Sequence, residues 1–253
     1  MKTLAMRSRR EGGMTLIELM VALTLGLMVV LLVGQVFYSN KTVFRSQAAQ
    51  AEVQEKGRFA LRWISEQVRQ AGYVDTTKLA NGLAVNFPAS GTTFTSAGTV
   101  LLEASGTLNY RFYGNNDNQI IDCQGSPVAS ASTAYNFAIA RTASDVMTCT
   151  TAGSTSTVLS GVKQLVLTYG VDSSTTPDNI PESYAAAAAV ADWTKVHVVR
   201  VCILVESDTQ YTAPSGYSVI DCNGSPYPAA GVSNNGKLAR TFRTSIFLRN
   251  NLS

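Results

Sequence analysis

Few side chains in this sequence could do chemistry, and they are not gathered into one motif. His197 is the single histidine and falls inside an apolar run, Lys195 to Glu206, with no companion nucleophile or carboxylate pattern. It reads as a packed or edge-strand histidine rather than a general base. No G-x-S-x-G, Walker A or G-x-G-x-x-G element occurs. Asn115-Asn116-Asp117-Asn118 offers calcium-type ligands but lacks the acidic alternation and distal Glu of an EF-hand loop, so a polar hairpin turn is expected. Cys123, Cys149, Cys202 and Cys222 show no C-x-x-C spacing, which argues against zinc and, for a chain exported beyond the membrane, for disulfides. Three connectivities are open. Local pairing gives Cys123 with Cys149 and Cys202 with Cys222, each closing a loop worth roughly 3–4 kcal/mol in the chain-entropy model, with reduced thiols as the alternative. No catalytic residue, metal or cofactor is expected.

The remaining reactive group is Glu18, in Gly12-Gly13-Met14-Thr15-Leu16-Ile17-Glu18, a carboxylate inside a run that stays apolar to about Tyr38. Residues 14–38 as a helix would extend about 37 Å at roughly 1.5 Å per residue, enough for a bilayer core of about 30 Å. A carboxylate at mid-helix costs on the order of 2.5–3.5 kcal/mol on insertion scales, so Glu18 calls for a cationic partner. Residues 1–13 form a leader carrying Lys2, Arg7, Arg9 and Arg10 against Glu11. A secretory signal is cut after its apolar segment, whereas the small residues Gly12 and Gly13 precede this one. Cutting between Gly13 and Met14 would remove the charges, keep the helix and leave a new amine one helical turn from Glu18. The amine of a neighbouring copy would serve equally well. An interfacial Glu in an uncleaved signal anchor is the alternative.

Charge and composition point to an assembly part. The chain has 253 residues, 45% hydrophobic and 15% charged, with a formal charge of +3 that the leader accounts for entirely. The rest of the chain is balanced in charge, so the basic pI of about 8.7 is poor support for nucleic-acid binding. Lys237, Arg240, Arg243 and Arg249 are the one hint of a polyanion site; residues 73–253 nevertheless hold 10 bases and 12 acids, and a solvated strand face is the preferred reading.

Beyond the span, Val53, Gly57, Ala60, Leu61, Ile64, Val68 and Ala71 follow i, i+3, i+4 spacing, with Lys56, Arg62, Glu66 and Arg69 on other faces. This predicts one helix over 14–72, apolar all round in its first part and amphipathic in its second, with Gly72 as its stop. From 73 to 253 short apolar runs broken by Gly, Ser, Thr and Asn predict an antiparallel β domain. Expected strands are Thr107 to Tyr113, Gln119 to Cys123, Val162 to Tyr169, Lys195 to Glu206 and Arg240 to Arg249. The fourth is apolar on both faces, as a central strand would be, and the fifth alternates. Pro181 and the Ala185 to Ala189 tract predict a short helix. Ile121-Asp122-Cys123-Gln124-Gly125-Ser126-Pro127 and Ile220-Asp221-Cys222-Asn223-Gly224-Ser225-Pro226 echo one another and are read as two similar turns, not a duplicated domain. The fold class is α+β, a long N-terminal helix packed on a C-terminal antiparallel sheet.

The residues Gly13-Met14-Thr15-Leu16-Ile17-Glu18 resemble the prepilin signature of type IV pilins and type II secretion pseudopilins, with Met14 where Phe is commonest. The resemblance implies a pilin-like fold, cleavage after Gly13 by a prepilin peptidase, N-methylation of Met14, and Glu18 registering one subunit against another. Glu52-Val53-Gln54-Glu55-Lys56-Gly57-Arg58-Phe59-Ala60-Leu61, then Arg69-Gln70-Ala71-Gly72-Tyr73-Val74, resemble the PilW family of minor pilins. Gly161 to Gln164, Tyr169 to Asp172, Asp192-Trp193, Val196 to Val201 and Leu248-Arg249-Asn250 are similar to the same family in order along the chain. It implies a non-enzymatic, single-pass protein of the bacterial inner membrane, leader cytoplasmic and globular domain periplasmic, that later enters an extracellular pilus. Its implied partners are the major pilin, other minor pilins, the prepilin peptidase, the inner-membrane assembly platform and membrane lipid around 14–38. Major pilins often carry a proline near the end of the span; this chain has Gln35 there, so no proline kink is expected. A pseudopilin of a type II secretion machine and a pilus-tip adhesin or DNA-uptake receptor are the alternatives.

Overall fold

The computed structural model describes residues 13–75, 87–115, 117, 119–129, 133–176 and 178–250. The expected leader therefore lies, except for Gly13, outside the described residues. The chain divides into two compact units, Met1–Gln47 and Ala48–Ser253, each described by itself. One helix, α1 (Leu16–Gln70), has its N-terminal part in the first unit and its remainder in the second. Neither Gly26 nor Gly34 interrupts its helical assignment.

In the second unit the buried face of α1 is Ala49, Val53, Gly57, Ala60, Ile64, Gln67 and Val68, the expected stripe extended by one alanine and one glutamine. Gln67 is buried because its side-chain oxygen accepts the Tyr110 hydroxyl at 2.8 Å. The helix stops where Gly72 turns to a φ of +76°, a conformation open to glycine.

Two antiparallel sheets pack with this helix. The first is a meander of β1 (Leu101–Ala104), β2 (Thr107–Tyr113), β3 (Ala134–Arg141), β4 (Val146–Thr151) and β5 (Ser154–Ser160), paired in that order. Ser105-Gly106 joins β1 to β2 with both φ values positive, the turn that matches strand twist in a two-residue hairpin. The second sheet runs β11 (Ala239–Phe247), β8 (Val196–Glu206), β6 (Val162–Val171), β7 (Ser183–Ala185). A small hairpin pairs β9 (Val219–Ile220) with β10 (Pro226–Tyr227). One core joins Ala60, Ile64 and Val68 of α1 to Tyr110, Phe112 and Ile139 of the first sheet and to Val199, Val201 and Ile203 of the second.

The strand at 107–113 is as expected, and β8 is the buried central strand, flanked on both sides. β8 begins at Val196 because Trp193–Lys195 forms a 3₁₀ turn, capped by the Asp192 carboxylate, which accepts the Thr194 N–H at 3.0 Å. The last strand alternates from Phe242 onward, with Ile246 buried and Arg243, Ser245 and Phe247 exposed; at its start the order is inverted, Ala239 buried and Arg240 exposed. Gln119 to Cys123 is not a strand: only an isolated bridge, Ile121 to Pro127, forms there, since the chain reverses through Gly125. The alanine tract yields the 3₁₀ turn Ala187–Ala189, with Ala185 still in β7.

Arg111 on β2 is wholly buried without a carboxylate. Its guanidinium donates to the carbonyls of Thr99 (2.7 Å), Pro88 (2.6 Å) and Phe87 (3.1 Å) and lies over the rings of Phe94 and Phe87. It thereby fixes residues 87–99 over the first sheet. Burial pulls its pKa below the ordinary arginine value.

Candidate functional site

The N-terminal motif begins with Gly13, which has open space where a Cβ would stand, and then Met14, 67% exposed. Thr15 caps α1. The Leu19 N–H donates to the Thr15 carbonyl at 3.1 Å and the Glu18 N–H to the Thr15 hydroxyl at 3.3 Å. Thr15-Leu16-Ile17-Glu18 is thus a capping-box sequence. It places Glu18 in the first helical turn, where unpaired amides favour a carboxylate by about 0.3–1 kcal/mol. This lowers the cost of the acid without neutralising it, and Glu18 has no ion-pair partner among the described residues. The T-x-x-E spacing is present in the sequence; reading Glu18 only as an acid within a span overlooks it.

In the first unit α1 is exposed on every side, including Leu16, Ile17, Leu25, Val30 and Phe37. It is long and apolar enough to cross a membrane. Among the described residues of its own unit, nothing buries this surface.

In the second unit the segment Glu52 to Leu61 divides between two tasks. Gly57 presses against the ring of Phe242 on β11, so close that a Cβ on residue 57 would overlap the ring. Lys56 pairs with Glu52 at 2.8 Å and with Asp208 at 2.7 Å, while the Asp208 N–H donates to Glu52 at 2.8 Å. Burial pulls the Lys56 pKa down, but the two carboxylates outweigh it and hold the ammonium above its ordinary value. Glu55, Arg58 and Phe59 point outward, Phe59 45% exposed. At the far end Asn250 donates to the carbonyls of Arg69 (3.0 Å) and Ala71 (3.3 Å), satisfying groups the helix end leaves unpaired.

The cysteines pair as Cys123–Cys149 and Cys202–Cys222, with Cα separations of 6.2 and 5.7 Å. Each bridge joins a strand to one of the two echoing turns. In both turns the aspartate carboxylate accepts two backbone N–H groups at 2.8 Å, Gln124 and Ser126 on Asp122, Asn223 and Ser225 on Asp221. Gly125 and Gly224 come next, with φ of 83° and 86°. The repeated I-D-C-x-G-S-P sequence therefore encodes one local structure used twice, as an anchor that presents a cysteine to a neighbouring strand.

The other candidates are structural in their surroundings. His197 is buried in β8. Asn115 is buried and accepts the Gln119 N–H at 3.1 Å, as a turn would; Asn116 and Asn118 lie outside the described residues. Asp172, Asp178 and Glu182 bring carboxylate oxygens within 4.8 Å of one another, a spacing that would suit a cation. Several of these oxygens are already engaged: Asp172 accepts from the Ser174 hydroxyl (2.6 Å) and from the amides of Ser174, Asp178 and Asn179, Asp178 accepts from the Ile180 amide at 2.9 Å, and one Glu182 oxygen accepts from the Ser173 amide at 2.7 Å. Those bonds, the Ser174 hydroxyl first, hold the Asp172 carboxyl down to about 2. Of the C-terminal bases, Arg240 and Arg243 have opposite parity on β11, facing Val205 and Cys202. They occupy opposite faces of the sheet and make no single patch. Arg200, which sequence reasoning does not single out, lies beside Arg243 instead.

Comparison with known proteins agrees with these features. The family described as Type IV Pilus-assembly protein W matches residues 128–250, which include the expected resemblance from Gly161 onward but not that of Glu52 to Val74. The Prokaryotic N-terminal methylation motif matches residues 8–34. No curated protein matches the chain. A solved structure of a type IV-like pilin from Thermus thermophilus aligns over 60% of this chain and 84% of its own, at 12% identity and a TM-score of 0.34, too low to bear on the argument. Pilins are structural proteins, and the prepilin-type motif implies dealings with other pilins and a prepilin peptidase. The chain is thus similar to the PilW family of type IV pilus-assembly proteins over residues 128–250 and carries the N-terminal methylation motif over residues 8–34.

Proposed function

We propose that this protein is a minor pilin that takes part in starting or capping a type IV pilus. A prepilin peptidase cuts after Gly13, Met14 is N-methylated, and the subunit waits in the inner membrane with residues 14–38 spanning it and residues 73–253 in the periplasm. On extraction into the filament, apolar helices bury one another and Glu18 pairs with the amine of Met14 in its own or a neighbouring subunit. Carrying the proposal is one observation: α1 exposes an all-round apolar surface in its first unit and a domain-packed stripe in its second. Glu18, a carboxylate at the start of that apolar surface with no ion-pair partner among the described residues, gives assembly something to neutralise.

The test compares a strain lacking the protein with strains carrying the wild type or Glu18→Ala. Loss of surface pili on deletion, and reduced recovery of processed Glu18→Ala protein in sheared pili, is the expected result. Equal incorporation of Glu18→Ala would overturn the pairing role. Normal pili with failed enzyme secretion would move the protein to a secretion machine.

A further inference from the structure

The face of the four-stranded sheet opposite its helix-packed core carries a groove of about 510 Å³. Register sets its floor: Thr168 and Ser245 flank Arg200, and Val166 and Arg243 flank Cys202. The two arginines are diagonal neighbours on adjacent strands, with roughly 7–8 Å between such positions. One wall is the Asp221–Ser225 turn, held by the Cys202–Cys222 bridge and by Gln164, which donates to the Asp221 carboxylate at 2.8 Å. Beyond Thr168, Tyr184 of β7 shares this face of the sheet through its pairing with Gly170.

Both guanidiniums are held in place. Arg200 lies 3.3 Å over the centre of the Tyr184 ring, and one N–H of Arg243 donates to the Asp221 carbonyl at 2.9 Å. Neither has a carboxylate partner among the described residues, and the nearby Asp221 carboxylate is engaged by its own turn. Two exposed, preorganised forks in a walled groove lined by hydroxyls leave positive charge to be answered from outside.

We propose that this groove docks an acidic peptide segment of a neighbouring protein, its carboxylates pairing with Arg200 and Arg243. A nucleic acid would need free aromatic faces for its bases, but the Tyr184 face is taken by Arg200. The groove uses none of the residues on which the assembly proposal rests, so either can fail without the other.

The full-length protein in detergent micelles is titrated with a labelled glutamate-rich peptide, its glutamine-for-glutamate counterpart and an oligothymidylate. Saturable, salt-weakened binding of the acidic peptide alone is expected, with Arg200→Gln and Arg243→Gln each weakening it by about tenfold or more and leaving the melting temperature unchanged. Arg200→Lys keeps the charge but loses the planar fork, and should fall between. Absence of saturable binding, equal binding of the glutamine peptide, or unaltered affinity in both Gln variants would overturn the proposal. Tighter binding of the oligothymidylate would overturn it in favour of a nucleic-acid site.

Discussion

Gly57 of α1 lies directly against the ring of Phe242 on β11, with no room between them for a methyl group. Gly57 is therefore a packing residue, although glycine inside a helix costs roughly 0.5–1 kcal/mol against alanine. Gly57→Ala gains that propensity and loses more to overlap, for a net destabilisation of about 1–2 kcal/mol. Thermal unfolding of the full-length protein in detergent checks this. Adding Phe242→Ala should make the Gly57→Ala change favourable, a non-additive cycle that distinguishes contact from a general effect.

Arg111 organises residues 87–99 through three carbonyls, and its loss removes a donor from each, the buried Thr99 carbonyl among them, while the Phe87 carbonyl keeps the Gly98 N–H. Arg111→Met should destabilise by roughly 2–4 kcal/mol, read by denaturant unfolding. Arg111→Lys should rescue little, because one ammonium cannot reproduce the spread of a guanidinium.

The two disulfides close loops of similar span, 20 and 26 residues in separation. Replacing either pair by serine should cost about 3 kcal/mol and lower the melting temperature. Mild reduction of the wild type should reproduce the loss, monitored by thiol labelling together with near-UV circular dichroism.

Asp172 gives the 172–179 loop an acid limit. A carboxyl held at about 2 in the fold, against an ordinary 3.8, stabilises the loop above pH 3.8 and loses that contribution as pH falls through about 2. Proteolytic nicking of the loop with an acid-active protease should rise over that window in the wild type. In Asp172→Asn nicking should be elevated already at neutral pH and vary less with acid.

Much of this is legible in the sequence because single periods dominate. The α1 stripe and the two-sided apolar run of β8 each carry one pattern over eleven or more residues, and β11 alternates from Phe242 onward. β3, β4 and β5 escape notice: Ala134–Arg141, Val146–Thr151 and Ser154–Ser160 are rich in Ala, Ser and Thr, residues shared with loops, and only Phe137, Ile139, Met147 and Cys149 turn fully inward. Gln119 to Cys123 misleads in the opposite sense, since its apolar pair precedes an aspartate that satisfies the turn amides itself. At the site, Glu18 stands out by its setting. The arginine groove does not, because Arg200 and Arg243 are 43 positions apart and only strand register brings them together.

On the proposed function the chain is a prepilin whose apolar helix is readied for assembly by a single cut after Gly13. Intact mass and N-terminal sequencing of membrane-extracted protein, from cells with and without the prepilin peptidase, test it most directly. A chain beginning at N-methylated Met14 only when the peptidase is present is the predicted result. A chain beginning at Met1 in both would contradict it.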